Sequence, residues 1–153
     1  MDAYFRLLPD AVCMGSATNK QSILEILADM FARNYAVDRD AVLESLQERE
    51  ALGSTGFGRG VAIPHARIEG LNRPVAVLLK LETPVDFAAA DGMSVDLVFG
   101  LLSPENAGVG HLHALAAISR LVRDEATHQA LSDATSPEAL FALLTNVSDR
   151  DVA

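Results

Sequence analysis

The chain has 153 residues and a mass of 16.3 kDa, with half of its residues apolar and only 5% aromatic. This size predicts one domain over residues 1–153 with an aliphatic core, folded over about 8–146 and frayed over the polar end, 147–153. The formal net charge of −9, without a basic cluster, argues against nucleic-acid binding. No membrane-spanning stretch or secretory leader is visible, so we expect a cytoplasmic protein without membrane insertion. The single cysteine, Cys13, excludes an intramolecular disulfide and fits a reducing compartment.

Two helices are expected in the first third of the chain. Thr18 followed three residues later by Gln21 predicts a capping box, and apolar residues at helical spacing extend that helix over 19–34. Asp38 is a candidate N-cap of a second helix, which ends at the glycine-rich segment that follows. The apolar side chains of this second helix are expected to face inward: Val42, Leu43, Leu46 and Leu52.

Strands and helices alternate in the rest of the chain. Apolar, β-branched runs bounded by Pro or Gly predict three strands, over 61–63, 75–81 and 95–102. Start signals and helical spacing predict three more helices, over 108–123, 125–133 and 137–144. The inner face of the first of these is expected to hold Leu112, Leu115, Ile118 and Val122. This alternation predicts a single α/β domain, a central sheet covered by helices.

Three glycines at positions 56, 58 and 60 precede a short apolar strand that leads to Pro64 and His65. A dinucleotide-binding loop follows a strand and opens a helix, whereas here a helix precedes the glycines and a strand follows them. A Walker loop needs Gly-Lys-Ser/Thr, which is absent, so nucleotide binding is disfavoured. Two interpretations stay open: a turn of purely structural role, or a loop whose N–H groups form an anion nest beside His65.

The histidines separate into site candidates and surface residues. His65, held behind a proline, is a candidate nucleophile or ligand. His111 and His113 lie two residues apart, about 200° around a helix, so they cannot chelate one metal ion together. His111 shares the inward apolar face and is the expected partner of His65. His113 and His128 are expected on the surface.

Two histidines with arginines nearby, and no metal-binding set, favour phosphoryl chemistry. A neutral imidazole can attack a phosphoryl group and carry it as a phosphohistidine. A second histidine and an arginine can hold the phosphate oxygens by hydrogen bonds. A serine hydrolase is the competing catalytic class, but the chain has no Gly-x-Ser-x-Gly elbow.

The motifs resemble, in the same order, those of the phosphotransferase system enzyme IIA proteins of the fructose/mannitol class. The glycine-rich segment and its Pro-His ending resemble the signature of that family. The resemblance covers about residues 18–145, through segments 53–65, 81–87, 91–99, 102–104 and 111–115. The standalone length is most similar to the nitrogen-regulatory branch. The resemblance implies one domain with a mixed central β-sheet flanked by α-helices.

The resemblance also implies a role for each matching residue. His65 corresponds to the phosphorylated histidine, which accepts phosphate on Nε2 from a histidine phosphocarrier protein. His111 corresponds to the second active-site histidine, and Arg49 to an arginine near the phosphate. Ser54 and Thr55 would lie beside it as hydrogen-bond donors. No metal and no organic cofactor is implied.

Three functions stay open at this point. The favoured one is a phosphocarrier whose phosphorylation state regulates partner proteins. The alternatives are a sugar-specific IIA component that passes phosphate to a IIB protein, and a binding module that uses His65 little.

Two departures from the family pattern bear on catalysis and docking. Ala66-Arg67 stands where many members have Gly-Lys, which keeps the positive charge, and Gly108-Val109-Gly110 replaces a more polar loop before His111.

Overall fold

The computed structural model, which describes the backbone of residues 4–152 and the side chains of residues 4–145, begins with a strand and two helices and continues with five strands and then three helices. After a 3-10 turn at Pro9–Ala11, the elements are β1 (Val12–Gly15), α1 (Lys20–Tyr35), α2 (Arg39–Ala51), β2 (Gly56–Gly58), β3 (Val61–Ala62), β4 (His65–Ile68), β5 (Val75–Val85), β6 (Val95–Pro104), α3 (Val109–Arg123), α4 (Glu125–Asp133) and α5 (Pro137–Val152). The α/β domain expected from the sequence is confirmed. Among the described residues no helix is both long and apolar enough to cross a bilayer.

The sheet is mixed, with the strand order β1-β5-β6-β3-β2. β1 runs parallel to β5, while β5 and β6 form the long antiparallel centre. β3 and then β4 lie parallel to the same side of β6, with Val61 opposite Leu97 and His65 opposite Leu101. Ile63 and Pro64 connect these two short strands, and His65 therefore lies in the sheet directly beside the central strand β6.

Alternation along β6 separates the two faces of the sheet. At Gly100, an added Cβ would lie 2.9 Å from Phe31 of α1 and 2.8 Å from Val77, so glycine allows that helix to pack closely. Ser103 lies three residues further on, and its side chain meets His111 of α3. Because residues three apart in a strand point to opposite faces, α1 and α3 cover opposite faces of the sheet. α2 packs along α1 and against β4.

The N-terminus of α1 differs from the predicted capping box. The N-cap is Asn19, not Thr18: its side chain accepts from Ser22 N at 2.8 Å, while Ser22 Oγ accepts from Asn19 N at 3.1 Å. This reciprocal pair satisfies two donors of the first turn one residue later than expected. Gln21, the predicted partner of Thr18, donates instead to Glu25 within the helix. The Asp38 cap of α2 is confirmed.

Three further predictions about the elements are wrong, and three short strands were missed. Leu52 lies beyond the end of α2 and is 85% exposed, and Leu112 is 60% exposed because it lies about 100° around α3 from His111. The short strands β1, β2 and β4 were not anticipated: β1 and β4 are held by pairing with the distant strands β5 and β6, and β2 is only three residues long. α5 runs to Val152 rather than 144, since no Gly or Pro interrupts that stretch. Residue 153 of the predicted frayed tail lies outside the described residues.

Candidate functional site

His65 is the first residue of β4, and its ring is held by its own backbone neighbourhood. Nδ1 lies 2.7 Å from the carbonyl oxygen of Ile63. A carbonyl oxygen only accepts hydrogen bonds, so Nδ1 carries the proton and Nε2 keeps its lone pair. The side chain is half-buried. The structure therefore presents one nucleophilic nitrogen, Nε2, in a fixed direction.

Arg49 reaches this nitrogen from the last turn of α2. Its Nε donates towards His65 Nε2 at 3.3 Å, and its Nη1 donates to the carbonyl oxygen of Gly53 at 2.8 Å. Among the described residues Arg49 forms no ion pair with a carboxylate. The guanidinium thus places a positive charge beside the unprotonated nitrogen of His65.

His111 approaches from the opposite element, near the start of α3. It is buried, 7% exposed, and its ring centroid lies 5.6 Å from that of His65 at an interplanar angle of 46°. Its Nδ1 lies 2.6 Å from the hydroxyl of Ser103 on β6. His113 is exposed and packs edge-on against Tyr4. The helical geometry used in the sequence analysis therefore placed both histidines correctly.

The electrostatics keep both rings of the site neutral near pH 7. Burial, together with repulsion from His65 when that ring is protonated and from Arg67, lowers the pKa of His111 to about 4. Burial also lowers the pKa of His65, and Arg49 acts in the same direction, against the opposing effects of the Ile63 carbonyl and of Glu50. A neutral imidazole is the nucleophilic form, so these shifts favour attack by His65.

The hydroxyls of Ser54 and Thr55 are engaged with other groups. Ser54 Oγ donates to the carbonyl oxygen of Phe87 at 2.7 Å, and Thr55 Oγ1 donates to Glu50 Oε1 at 2.5 Å. The structure places both residues in the segment between α2 and β2 but gives their hydroxyl protons other acceptors. Their predicted role as phosphate donors has no support in these bonds.

Glu50 is a residue of this region that the sequence analysis did not single out. It is buried, and its Oε2 accepts from Thr55 N at 2.8 Å and from Lys20 Nζ at 2.9 Å. The carboxylate therefore fixes the chain directly after Arg49. A charged residue on an otherwise apolar helix face next to Arg49 was the available signal. Its partners lie in a turn and in another helix, which periodicity does not reveal.

The glycine-rich segment forms a hairpin instead of an anion nest. Arg59 and Gly60 have φ of 57° and 82°, the two-residue turn that suits a β-hairpin between β2 and β3. Arg59 N donates to Asp91, its guanidinium pairs with Glu125 at 3.0 Å, and its carbonyl oxygen accepts from His128 Nε2 at 2.9 Å.

This turn lies away from His65. The register on β6 separates Val61 from His65 by four residues, about 13 Å along the strand. The nest hypothesis is therefore wrong, because the turn is distant and its Arg59 N–H already has an acceptor. His128, expected as a plain surface residue, is half-buried and tied to this turn.

Three exposed large apolar residues are neighbours of the site residues in the sequence. Leu52 follows Arg49 by three residues and is 85% exposed. Val109 and Leu112 flank His111 on α3 and are 66% and 60% exposed. We call these three residues the apolar rim. Exposed large apolar residues close to a functional group are typical of a protein-docking surface.

The fold and the site together define a class of protein: an α/β domain that presents a neutral histidine beside an arginine and a second histidine. Residues 10–147 match the family model described as phosphoenolpyruvate-dependent sugar phosphotransferase system, EIIA 2. The chain belongs to this family, and the resemblance in its sequence is confirmed.

Known relatives include both regulatory and sugar-specific proteins. The chain is 41% identical over 132 residues to a nitrogen regulatory protein of Pseudomonas aeruginosa, covering 86% of each chain. It is 34% identical over 129 residues to the fructose-specific EIIA component of Haloferax volcanii, covering 84% of each. The crystal structure of the nitrogen regulatory protein IIA-Ntr from Neisseria meningitidis matches with a TM-score of 0.83 and 33% identity, covering 90% of this chain and 95% of that one. The expected similarity to the nitrogen-regulatory branch is confirmed.

Proposed function

We propose that this protein is a cytoplasmic phosphocarrier that accepts a phosphoryl group on Nε2 of His65 from a histidine phosphocarrier protein, and that its phosphorylation state regulates partner proteins. The single observation that carries this proposal is the unprotonated Nε2 of His65, with the proton held on Nδ1 by the Ile63 carbonyl and with Arg49 Nε donating towards Nε2 at 3.3 Å. Membership of a phosphotransfer family supports the same reading.

The transfer step balances without an added base. The lone pair of His65 Nε2 attacks the phosphorus of the donor's phosphohistidine, forming an N–P bond as the donor's own N–P bond breaks. The leaving electron pair stays on the donor imidazole nitrogen. Nε2 carries no proton, so none has to be removed, and the proton on Nδ1 stays there, donated to the Ile63 carbonyl throughout. The reaction exchanges one phosphohistidine for another.

Positive charge and hydrogen-bond donors stabilise the transferred group. Arg49 has no carboxylate partner among the described residues, so its guanidinium is available to the phosphoryl oxygens. His111 lies opposite His65. The positive charge of Arg67 also acts at this position, where it contributes to the lowered pKa of His111. Positioning and electrostatics are sufficient for phosphoryl transfer, so the mechanism needs no metal or organic cofactor.

The surroundings of His65 suit a regulatory output. The apolar rim offers a docking surface, and the net charge of −9 favours partners whose contact face is apolar or basic. A phosphoryl group brings about two negative charges into the middle of that surface. Partners that bury the rim around a neutral His65 therefore lose affinity on phosphorylation, whereas partners with arginines gain it.

A sugar-specific function is the second candidate, supported by the similarity to a fructose-specific EIIA component. In that case the phosphoryl group passes from His65 to a separate IIB protein. Transfer to a purified IIB protein distinguishes this from the regulatory function. A pure binding module is the third candidate; it predicts the same captured partners for wild type and for His65→Glu.

The decisive experiment measures labelling from radioactive phosphoenolpyruvate with purified general phosphotransferase proteins. Wild type should be labelled, His65→Ala should not, and the label should be acid-labile, as an N–P bond requires. His113→Ala is the matched control, because this histidine is exposed and lies on the other side of α3. Undiminished labelling of His65→Ala would refute the acceptor assignment.

A further inference from the structure

Ser103 is a buried hydroxyl in contact with the second histidine of the site. It lies on β6 opposite Arg67, and its side chain is fully buried. Its Oγ is 2.6 Å from Nδ1 of His111. Within the side chains that the structure describes, the Ser103 hydroxyl makes no other hydrogen bond, and it is not left unpaired.

The direction of this hydrogen bond follows from the protons available. A serine hydroxyl has one proton, and each nitrogen of a neutral imidazole is either a donor or an acceptor. If His111 Nδ1 donated, the buried proton of Ser103 would have no acceptor among the described residues, which is unfavourable. The hydroxyl therefore donates to Nδ1. His111 then carries its one proton on Nε2.

His65 has the opposite arrangement. Its Nδ1 donates to the Ile63 carbonyl, and its Nε2 keeps the lone pair. The two rings, 5.6 Å apart, thus have unlike Nε2 atoms, one a nucleophile and the other a donor. The oxygens of a phosphoryl group accept hydrogen bonds. A His111 ring protonated on Nδ1 would instead turn a lone pair towards those oxygens.

We propose that Ser103 is a positioning residue: its hydroxyl holds His111 in the tautomer protonated on Nε2, so that His111 donates a hydrogen bond to the phosphoryl group on His65. The role of the bond rests on the proposed function of His65. The low pKa of His111 makes the tautomer decisive, because a ring that stays neutral has only one proton to give. Ser103 acts through His111 and does not itself contact the transferred group.

The first test reads the tautomers directly. In protein labelled with ¹⁵N-histidine, long-range proton–nitrogen spectra at pH 7 distinguish protonated from unprotonated ring nitrogens. In wild type we expect His111 to be protonated on Nε2 and His65 on Nδ1, in the same spectrum. In Ser103→Ala, His111 should populate both tautomers while His65 stays unchanged. A structural role of Ser103 alone would not move this signature.

The second test measures phosphoryl transfer to His65. Ser103→Ala should slow the transfer about 10-fold, the lower end of the loss that follows removal of the partner orienting a metal-ligating histidine. Ser103→Thr keeps the hydroxyl and should restore both the tautomer and most of the rate. Thr127→Val is the matched control, because it removes a buried hydroxyl whose partner is the N-cap of α4. It should leave the rate unchanged.

The outcomes separate this inference from the proposed function. A wild-type His111 protonated on Nδ1, with normal labelling of His65, overturns the role of Ser103 alone. An unchanged tautomer and rate in Ser103→Ala overturns it as well. Absence of labelling in wild type overturns the phosphocarrier function and removes the purpose assigned to the tautomer. If neither Ser103 variant folds, the wild-type spectrum decides.

Discussion

The His65 site and the Arg59–Gly60 turn are built from the same types of side chain, an arginine and a histidine with carboxylates nearby. At the turn every group is matched: Arg59 pairs with Glu125 at 3.0 Å, and its carbonyl oxygen accepts from His128 at 2.9 Å. At the site, Arg49 has no carboxylate partner among the described residues, and the lone pair of His65 meets only the Arg49 Nε–H.

The difference shows which property marks a functional site here. The turn uses its charges to hold the hairpin against α4, so nothing remains for a ligand. The site uses one nitrogen of each ring for orientation, through Ile63 and Ser103, and leaves the other nitrogen available. The two regions contain the same types of residue. They differ in whether each polar atom already has a partner within the protein.

The largest effect is expected for Arg49. Arg49→Gln should slow phosphoryl transfer to His65 about 100-fold, the cost of removing one charged donor from a developing anion. Arg59→Gln, the equivalent change at the turn, should leave the transfer rate unchanged, because Arg59 is tied to Glu125. Rates of labelling with a saturating phosphocarrier protein measure both. Equal losses in the two variants would contradict the distinction between the regions.

A second prediction concerns the carboxylates. Glu50→Ala should lower the free energy of unfolding by about 2 kcal/mol, because it leaves Thr55 N unpaired in a buried position and removes the partner of Lys20. Glu125→Ala at the turn should cost less than about 1 kcal/mol, since that pair is exposed to water. Urea denaturation of both variants at pH 7 gives the comparison. A larger loss for Glu125→Ala would reverse it.

A third change tests the turn by itself. Gly60→Ala should lower the free energy of unfolding by about 1 kcal/mol, since φ at this position is 82° and a Cβ would lie 3.2 Å from Asp96 Oδ1. Gly110→Ala lies within α3, and its Cβ would make only an ordinary contact with Ala107 Cβ at 4.0 Å, so the change should be neutral or stabilising. Thermal unfolding measures both. Phosphoryl transfer to His65 should survive Gly60→Ala, and its loss would mean that the turn acts on the site.

The smallest effect is a dependence on pH. The folded pKa of His111, about 4, is below the ordinary 6.5, so the unfolded chain takes up this proton first. The stabilising contribution of the neutral ring is therefore complete above pH 6.5, declines towards pH 4 and declines no further below it. At the turn, two backbone N–H groups lower the pKa of Asp91, so its contribution is lost only below its ordinary 3.8.

Denaturation at several pH values separates these contributions. His111→Gln should flatten the loss of stability between pH 6.5 and pH 4, and Asp91→Asn should leave that interval unchanged. A wild-type stability that is constant over the interval would contradict the burial of a neutral His111. Transfer to His65 should also slow towards acid pH, because protonation of its ring removes the nucleophile.

Local patterns predicted those parts of the molecule that depend on neighbours in the sequence. The inward direction of His111 followed from 100° per residue in a helix, and the Asp38 cap from a side chain two or three residues before its donor. Periodicity failed where the partner is distant. The hairpin of the glycine segment joins the sheet through β3, which pairs with β6 some thirty-six residues further on. The same limit concealed the Lys20–Glu50 pair, and the Ser103–His111 bond was missed because it joins a strand to the following helix.

Gly100 influences the geometry of the His65 site indirectly, through the packing of α1 on the sheet. Because Gly100 has no side chain, Phe31 and the helix α1 can approach the sheet closely. α2 packs along α1 and carries Arg49, while His65 belongs to the sheet itself. The distance between the Arg49 guanidinium and the His65 imidazole thus depends on how far the helices α1 and α2 lie from the sheet. A methyl group added at position 100 would increase the distance between α1 and the sheet. The Arg49–His65 distance would change with it, although position 100 is not part of the site.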